Sequence, residues 1–427
     1  LLRLLQAAAV LLIAFGLWQV APPLAYRLMA AFTSNETQAA GLRPPGARIE
    51  VKPQDLPKPG ATPSAYNSPR VVAPPAGMPL QAPPGFAVNV FASGFRHARN
   101  LHVLPNGDVL VAEPRAGRIS ILRDADADGV AEIKRVLVRG LKLPFGMAWD
   151  KGWLYVGEVE QVRRLKFEVG ALDTAGPPED VTESGSLGSS WGGHLTRNLV
   201  FAADGQSFFV AVGSQGNVDD EPEPYATIQQ FDVSGKEQRT FASGLRNPVG
   251  LALHPQTKAL WAVVNERDGL GDGLVPDYLA KIEAGAFFGW PYAYTGNIPD
   301  PDYGEERPDL VAQSRLPDLL FESHSAPIGL VFYQGAMFPP EYANDAFVAL
   351  RGSWNSNRPV GYMVVRVPFA DGRPKGYYEI FVAGFRVGGE RTAEVWGRPA
   401  GLAVGKDGSL LIADDTSNTV FRVAYRR

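Results

Sequence analysis

An all-β fold, a six-bladed β-propeller, is predicted by three observations. A strand–turn–strand unit is written six times, no segment in that region keeps a helical period, and Gly/Asn turns punctuate it at blade-sized spacing. The copies begin at Asn100-Leu-His-Val, Gly146-Met-Ala-Trp, Asn198-Leu-Val-Phe, Gly250-Leu-Ala-Leu, Gly329-Leu-Val-Phe and Gly401-Leu-Ala-Val. A propeller brings equivalent loops of every blade to one mouth, so the repeat also states which residues should meet.

Three regions precede or make up this pattern. From Leu4 to Ala21 the only polar side chains are Gln6 and Gln19, with Arg3 in front. Such a run reaches the lower limit for crossing a bilayer as a helix, and Arg3 would stay on the cytoplasmic side. Pro22-Pro23-Leu24-Ala25 puts prolines where a cleavable signal peptide wants small residues, so residues 1–32 are expected to be an uncleaved membrane anchor. Residues 33–84 hold twelve of the 36 prolines between Pro44 and Pro84 and little apolar periodicity, the composition of an extended tether. Residues 85–427 are then the propeller, expected outside the membrane on the periplasmic side.

A second element recurs ahead of several copies: Val90-Phe-Ala-Ser-Gly-Phe95, Val136-Leu-Val-Arg-Gly-Leu141, Thr240-Phe-Ala-Ser-Gly-Leu245 and Ile380-Phe-Val-Ala-Gly-Phe385. It reads as the outermost strand of one blade entering the innermost strand of the next. Its first copy precedes every complete blade, so it should pair with the last blade, whose strands run through Leu410 to Ile412 and Val420 to Val423, and close the ring.

The chain of 427 residues is 45% hydrophobic with 46 glycines, enough for a large β-rich core. A net charge of -4 offers no basic surplus for phosphates, which excludes nucleic acid as an expected partner. Without cysteine there is no disulfide, thiolate metal site or covalently attached c-type haem.

This wiring sends two loop sets to one face. The first holds Arg96 to Arg99, Leu143-Pro-Phe145, Trp191-Gly-Gly-His194, Arg246-Asn247-Pro248, His324-Ser-Ala-Pro327 and Gly397-Arg398-Pro399; the second holds Glu113, Glu158, Gly213 to Asn217, Asn265 to Asp268, Arg351-Gly-Ser-Trp354 and Asp414-Asp415. A mixed-charge mouth over the axis suits a small molecule. His194, between a glycine pair and an inner strand, is the candidate general base, against the plainer reading of a loop-fixing histidine. Arg246 could polarise a carbonyl oxygen or clamp a carboxylate, and with Arg351 and Arg398 in the same mouth an anionic guest is favoured. The acidic, glycine-rich stretch Asn265 to Asp277 suits Ca²⁺, with Glu266, Arg267, Asp268 and Asp277 as candidate ligands; a long solvated loop is the equal alternative. Asp124-Ala-Asp-Ala-Asp-Gly129 has calcium-loop spacing but Arg135 at the twelfth position, and reads chiefly as a hairpin turn. His97, His102 and His254 are taken as structural. Phe287-Phe-Gly-Trp-Pro-Tyr-Ala-Tyr294 could line a sugar pocket or simply pack.

From about Pro84 onward the chain resembles the glucose/sorbosone dehydrogenases that use pyrroloquinoline quinone (PQQ), in particular the membrane-anchored sorbosone type. The resemblance rests on Gly193-His194 ahead of Asn198-Leu-Val-Phe201, Gly244-Leu-Arg-Asn-Pro-Val-Gly250, Asn265-Glu-Arg-Asp268 with Val275-Pro-Asp-Tyr278, Phe288-Gly-Trp-Pro291 and Gly352-Ser-Trp-Asn355. It implies that His194 removes the proton from a sugar hydroxyl, that Arg246 stands beside the reactive quinone oxygen with Asn247, and that Arg351 and Arg398 approach the cofactor carboxylates. His324 enters the same mouth and is grouped with the cofactor contacts, although the family has a different residue there. Arg267-Asp268 replaces a Gly-Pro pair near the family's Ca²⁺. The implied activity is oxidation of a sugar hemiacetal or aldehyde, with electrons passed to a respiratory quinone or cytochrome. A calcium-dependent hydrolase such as a lactonase, or a binding propeller without catalysis, would use the same fold.

Overall fold

The computed structural model describes residues 42–77, 80–189 and 191–426. The chain is all-β, and among these residues six sheets contain four or five strands each, antiparallel except for the parallel pairing of Ala286–Phe287 at the edge of the third. Each sheet starts at one of the six repeats, with first strands Asn100–Val103, Met147–Asp150, Leu199–Phe201, Asn247–Leu253, Pro327–Phe332 and Pro399–Val404. These first strands adjoin one another in cyclic order, the sixth returning to the first. One axial cavity is lined by residues from all six.

The second strands explain why the repeat is so apolar. Val109–Glu113, Ala346–Leu350 and Leu410–Asp414 are buried at every position, because neighbouring sheets cover both faces. The repeated glycine has a different cause. A Cβ on Gly329 would come within 2.1 Å of the Ala400 carbonyl, one on Gly401 within 2.7 Å of the Arg99 carbonyl, and one on Gly146 within 2.5 Å of the Leu199 nitrogen. Inner strands therefore approach around the axis at distances only glycine permits. In the first and third sheets asparagine takes that place, and Asn100 Nδ2 reaches Asn198 Oδ1 at 3.4 Å. The residues just before the glycines, Phe145, Val249, Ile328 and Ala400, form a buried cluster that plugs the axis beneath the mouth.

Ring closure follows the expected pairing. Phe86–Ser93 runs antiparallel to Thr419–Tyr425 and supplies the outer strand of the sixth sheet. Phe86 anchors it, with ring centroids of Phe338, Tyr342, Phe381 and Tyr425 at 4.8 to 5.3 Å, all edge-on. Phe86→Ala is expected to lower unfolding stability by about 3 kcal/mol, read as a fall in urea midpoint; an unchanged midpoint would mean this closure carries little stability.

The proline-rich segment is extended, but from residue 42 it is laid along the sheets rather than hanging free. Arg48–Ile49 pairs with Tyr378–Glu379, Arg70–Val71 with Glu394–Val395, and Gln81 bridges Ala383. Backbone donors left open on sheet edges make such docking favourable. The expected membrane anchor, residues 1–32, lies outside the described residues; among the described ones no helix is long and apolar enough to cross a membrane.

Candidate active site

His194 is held by one partner residue. Its Nδ1 lies 2.9 Å from the Ser214 carbonyl oxygen and 3.1 Å from Ser214 Oγ, and its own backbone nitrogen donates to the same carbonyl. A carbonyl only accepts, so Nδ1 carries the hydrogen and Nε2 carries the lone pair. Among the described residues Nε2 has no protein partner. Burial, and then the Arg246 charge, push the imidazolium down to about 3, so the ring is neutral near pH 7. Gly193 and Gly213 make the placement possible: a Cβ on Gly193 would meet Gln215 Cα at 2.4 Å, and one on Gly213 would meet His194 Cβ at 2.6 Å.

Next to it stands a buried polar knot. Arg246 Nε donates to the Asn217 carbonyl at 2.9 Å, Nη1 to the Glu266 carbonyl at 2.7 Å, and Nη2 to Asn217 Oδ1 at 3.0 Å and Asp268 Oδ2 at 3.4 Å. Asn355 Nδ2 bonds Asp268 Oδ1 and lies 3.0 Å from His324 Nδ1. Burial alone would raise the Asp268 pKa; Arg246 and His324 overcome it, and Asp268 sits below its ordinary value as a carboxylate. His324 Nε2 donates to the Gly271 carbonyl at 2.9 Å, so both of its ring nitrogens are engaged inside the protein. It stands behind Asp268 as a support, rather than offering a nitrogen to the mouth. The Oδ1 atoms of Asn247 and Asn355 are buried without a partner.

The predicted metal ligands do not converge. Asp277 Oδ1 accepts from the Glu266 nitrogen at 2.9 Å and Oδ2 from the Ala326 nitrogen at 2.8 Å, so it ties the fourth sheet to the loop entering the fifth. Burial raises Asp277 to about 6 and Glu266 to about 8. Arg267 is corrected as a ligand: its guanidinium is locked on Asp300 at 2.6 and 2.8 Å and on Asp302 at 3.0 Å, because a buried cation needs carboxylates around it. Among the described residues only Asp124, Asp126, Asp128 and Glu132 form a group of three or more candidate metal-ligating side chains, with carboxylate oxygens within 4.8 Å of one another. That turn joins the outer strands of the first sheet, on the face opposite the mouth.

Across the mouth is a pole rich in cations. Asp415 accepts from Arg99 Nη1 at 2.6 Å and from Arg351 Nε at 2.7 Å. Arg398 donates Nε to the Arg351 carbonyl at 3.1 Å and Nη2 to the Gly352 carbonyl at 2.6 Å, with no carboxylate partner. Burial, then its neighbour Arg351, push the Arg398 guanidinium down to about 10. Arg99 and Arg351 share the carboxylate of Asp415 while Arg398 beside them is paired with none, which leaves an excess of positive charge at this pole.

Asn217, Asn355, Asp415, Arg99 and Ser214 were missed as individuals. Their loops were legible from the repeat, but nothing in the local sequence marks which polar side chain turns inward. The aromatic run near Phe287 is packing: Trp290, Tyr292 and Tyr294 are buried, and the Trp290 indole donates to the Asn217 carbonyl at 3.1 Å. His254 is buried against Phe332 and Phe369, away from the mouth.

Two neutral histidines contribute to the acid response. Burial holds His102 down at about 4, against an ordinary 6.5, and His194 lies lower still. Between pH 6.5 and about 4 the unfolded chain binds these protons and the folded one does not, so the stability His102 and His194 contribute is lost as pH falls through that window, whereas the raised Glu266 and Asp277 carboxyls contribute with the opposite sign. His102→Gln is expected to make the slope of unfolding stability against pH less positive across it, read in denaturant titrations; an unchanged slope would show that His102 titrates normally.

The TrAA12-like family model matches residues 80–275 and 305–426, and the Glucose / Sorbosone dehydrogenase model residues 226–355. An uncharacterised protein of Borreliella burgdorferi is 27% identical over 361 residues, covering 82% of this chain and 91% of that protein. Aldose sugar dehydrogenase YliI of Escherichia coli is 29% identical over 135 residues, 31% of this chain and 33% of that protein. Among solved structures, the holo PQQ domain of Coprinopsis cinerea pyranose dehydrogenase has TM-score 0.67 at 19% identity, over 84% of this chain and 100% of that one. The calcium structure of the Trichoderma reesei family AA12 enzyme has TM-score 0.69 at 18% identity, over 84% and 99%. The family matches carry the assignment and the solved structures the fold: the chain belongs to the TrAA12-like family, and its residues 226–355 match the glucose/sorbosone dehydrogenase family that its sequence resembles.

Proposed function

We propose that this protein is a PQQ-dependent dehydrogenase that oxidises a sugar hemiacetal or aldehyde to the lactone or acid. The observation that carries the reading is the two-sided mouth. A neutral histidine with its Nε2 lone pair open stands beside Arg246 and Asn247, and facing them is a cation-rich pole that a tricarboxylate would neutralise. The residues fit PQQ: Arg351, Arg398 and Arg99 would hold its carboxylates, and the orphaned Asn247 oxygen is a polar contact without a protein partner. When bound, PQQ supplies the two-electron acceptor.

The protein's own work is to position and deprotonate. His194 Nε2 takes the proton of the anomeric hydroxyl while the C1–H bond breaks with its electron pair, leaving a C1 carbonyl. The Ser214 carbonyl holds the imidazolium formed by continuing to accept from Nδ1. Arg246, fixed on four sides, presents a preorganised positive charge beside the reacting oxygens without reorganising. Ca²⁺ belongs to the same reading, supported by a calcium structure in the family AA12 neighbour. No step is assigned to it, because the Glu266, Asp268 and Asp277 carboxylates do not gather into one ligand group.

The same reading takes the six sheets as propeller blades, residues 1–32 as the anchor that holds the domain in the periplasm, and a respiratory quinone or cytochrome as the final electron acceptor. A hydrolase of neutral lactones has no use for the arginine pole. Titration with PQQ, followed by quinone absorbance and then aldose-dependent dye reduction, is expected to show saturable binding and turnover. No binding, or no reduction with any aldose, would overturn the proposal.

A further inference from the structure

Among the described residues, two tryptophans are exposed, Trp191 at 85% and Trp354 at 41%, and both lie in loops of the mouth. Trp191 is three residues from His194, in the same loop. Trp354 is next to Asn355 in the second loop of the fifth sheet. Between them runs a polar row. Gly193 packs on Gln215, Asn217 bonds Asp268, and Asp268 bonds Asn355.

Trp354 is not a loose surface residue. The proline-rich strap crosses the mouth here, and Tyr66 sets its ring edge-on to Trp354, centroids 5.4 Å apart at 72°. The Asn67 nitrogen donates to the Trp354 carbonyl at 2.7 Å, and Asn67 Nδ2 to the Ser356 carbonyl at 3.1 Å. On the other side, Thr62 Oγ1 accepts from the Asp272 nitrogen at 2.7 Å, and the Gly60 nitrogen donates to the Leu270 carbonyl at 2.9 Å. The strap thus pins both loops that flank Asp268. The TrAA12-like match begins only at residue 80, so this strap lies outside the matched residues.

We propose that Trp191 and the strap-held pair Tyr66–Trp354 are two sugar platforms, and that the substrate is an oligosaccharide oxidised at its reducing end. This substrate class rests on the dehydrogenase reading above. Exposed aromatic faces flanking a row of amide and carboxylate groups match the two chemistries of a sugar ring, apolar C–H faces and hydroxyl edges. One platform lies in the loop of the candidate base and serves the reacting ring; the other, across the row, serves a ring further along the glycan. Only the reducing end of a glycan has the hemiacetal that this chemistry consumes. Two side chains are too little surface for a stable protein partner, which needs on the order of 1,200 Å².

The test compares Trp354→Ala, Tyr66→Ala, Tyr66→Phe and the unchanged protein. Each is measured for kcat/KM with glucose and xylose against cello-, malto- and xylo-tetraose, and for tetrasaccharide binding by calorimetry before PQQ is added. The unchanged protein is expected to bind and prefer at least one tetrasaccharide. Trp354→Ala and Tyr66→Ala should weaken both about tenfold or more, Tyr66→Phe should restore them, and monosaccharide turnover should be unmoved. Tetrasaccharide binding that these variants weaken, without dye reduction, would uphold the platforms and overturn the dehydrogenase. Monosaccharide turnover with no tetrasaccharide preference, or with equal losses on both classes, would overturn the platforms and leave the dehydrogenase standing.

Discussion

His194→Ala is expected to lower turnover by about 10²- to 10⁴-fold, the usual weight of a positioned general base, while the PQQ titration endpoint should stay where it was. The asymmetry follows from the geometry. His194 Nε2 is open and Nδ1 is fixed by Ser214, so the side chain contributes a directed lone pair and no charge to the cofactor site. His194→Asn, which keeps a polar group but no comparable base, should fall nearly as far. Stopped-flow reduction of the bound quinone by sugar isolates this step from later electron transfer. Quinone reduction at the unchanged rate in His194→Ala would remove the histidine from the chemistry.

Arg398→Met is expected to weaken PQQ binding by about 10- to 100-fold, what the loss of one charge-assisted contact implies. Arg398 is the arginine whose charge is least answered: it donates to two carbonyls and to no carboxylate, while Arg99 and Arg351 share Asp415. Its removal also leaves the Arg351 and Gly352 carbonyls without these donors, so thermal unfolding must be followed in parallel. Arg398→Lys should recover only part of the affinity, because an ammonium cannot reproduce the planar donor fork. A folded Arg398→Met protein with unaltered PQQ affinity would show that the positive pole serves another anion.

The repeats made the strands and the loop sets readable because both are set by short-range patterning: burial on two faces demands apolar runs, and tight turns demand Gly or Asn. Even the glycine of each copy proved to be a statement about distance, since inner strands meet at the axis where a Cβ has no room. His194, Arg246 and Asn247 were legible because each lies at the edge of such a copy. The metal set was less so. Glu266, Arg267, Asp268 and Asp277 share an acidic loop, but in the fold they point to different partners. Asp277 ties two loops, Arg267 is drawn to Asp300 and Asp302, and Asp268 is taken by Arg246 and Asn355.

The sequence by itself determined the all-β class, the order of the repeats, the pairing that closes the ring and the loops that share a mouth. Tertiary structure alone decided which polar side chains answer each other there, because those contacts join residues far apart in the chain: Asn217 with Arg246, Asn355 with Asp268, Asp415 with Arg99. It also turned the proline-rich segment from a tether into a strap, by offering sheet edges and loop carbonyls that its backbone could bond. Composition announces that a segment will be extended; only the surface it meets decides whether it stays free.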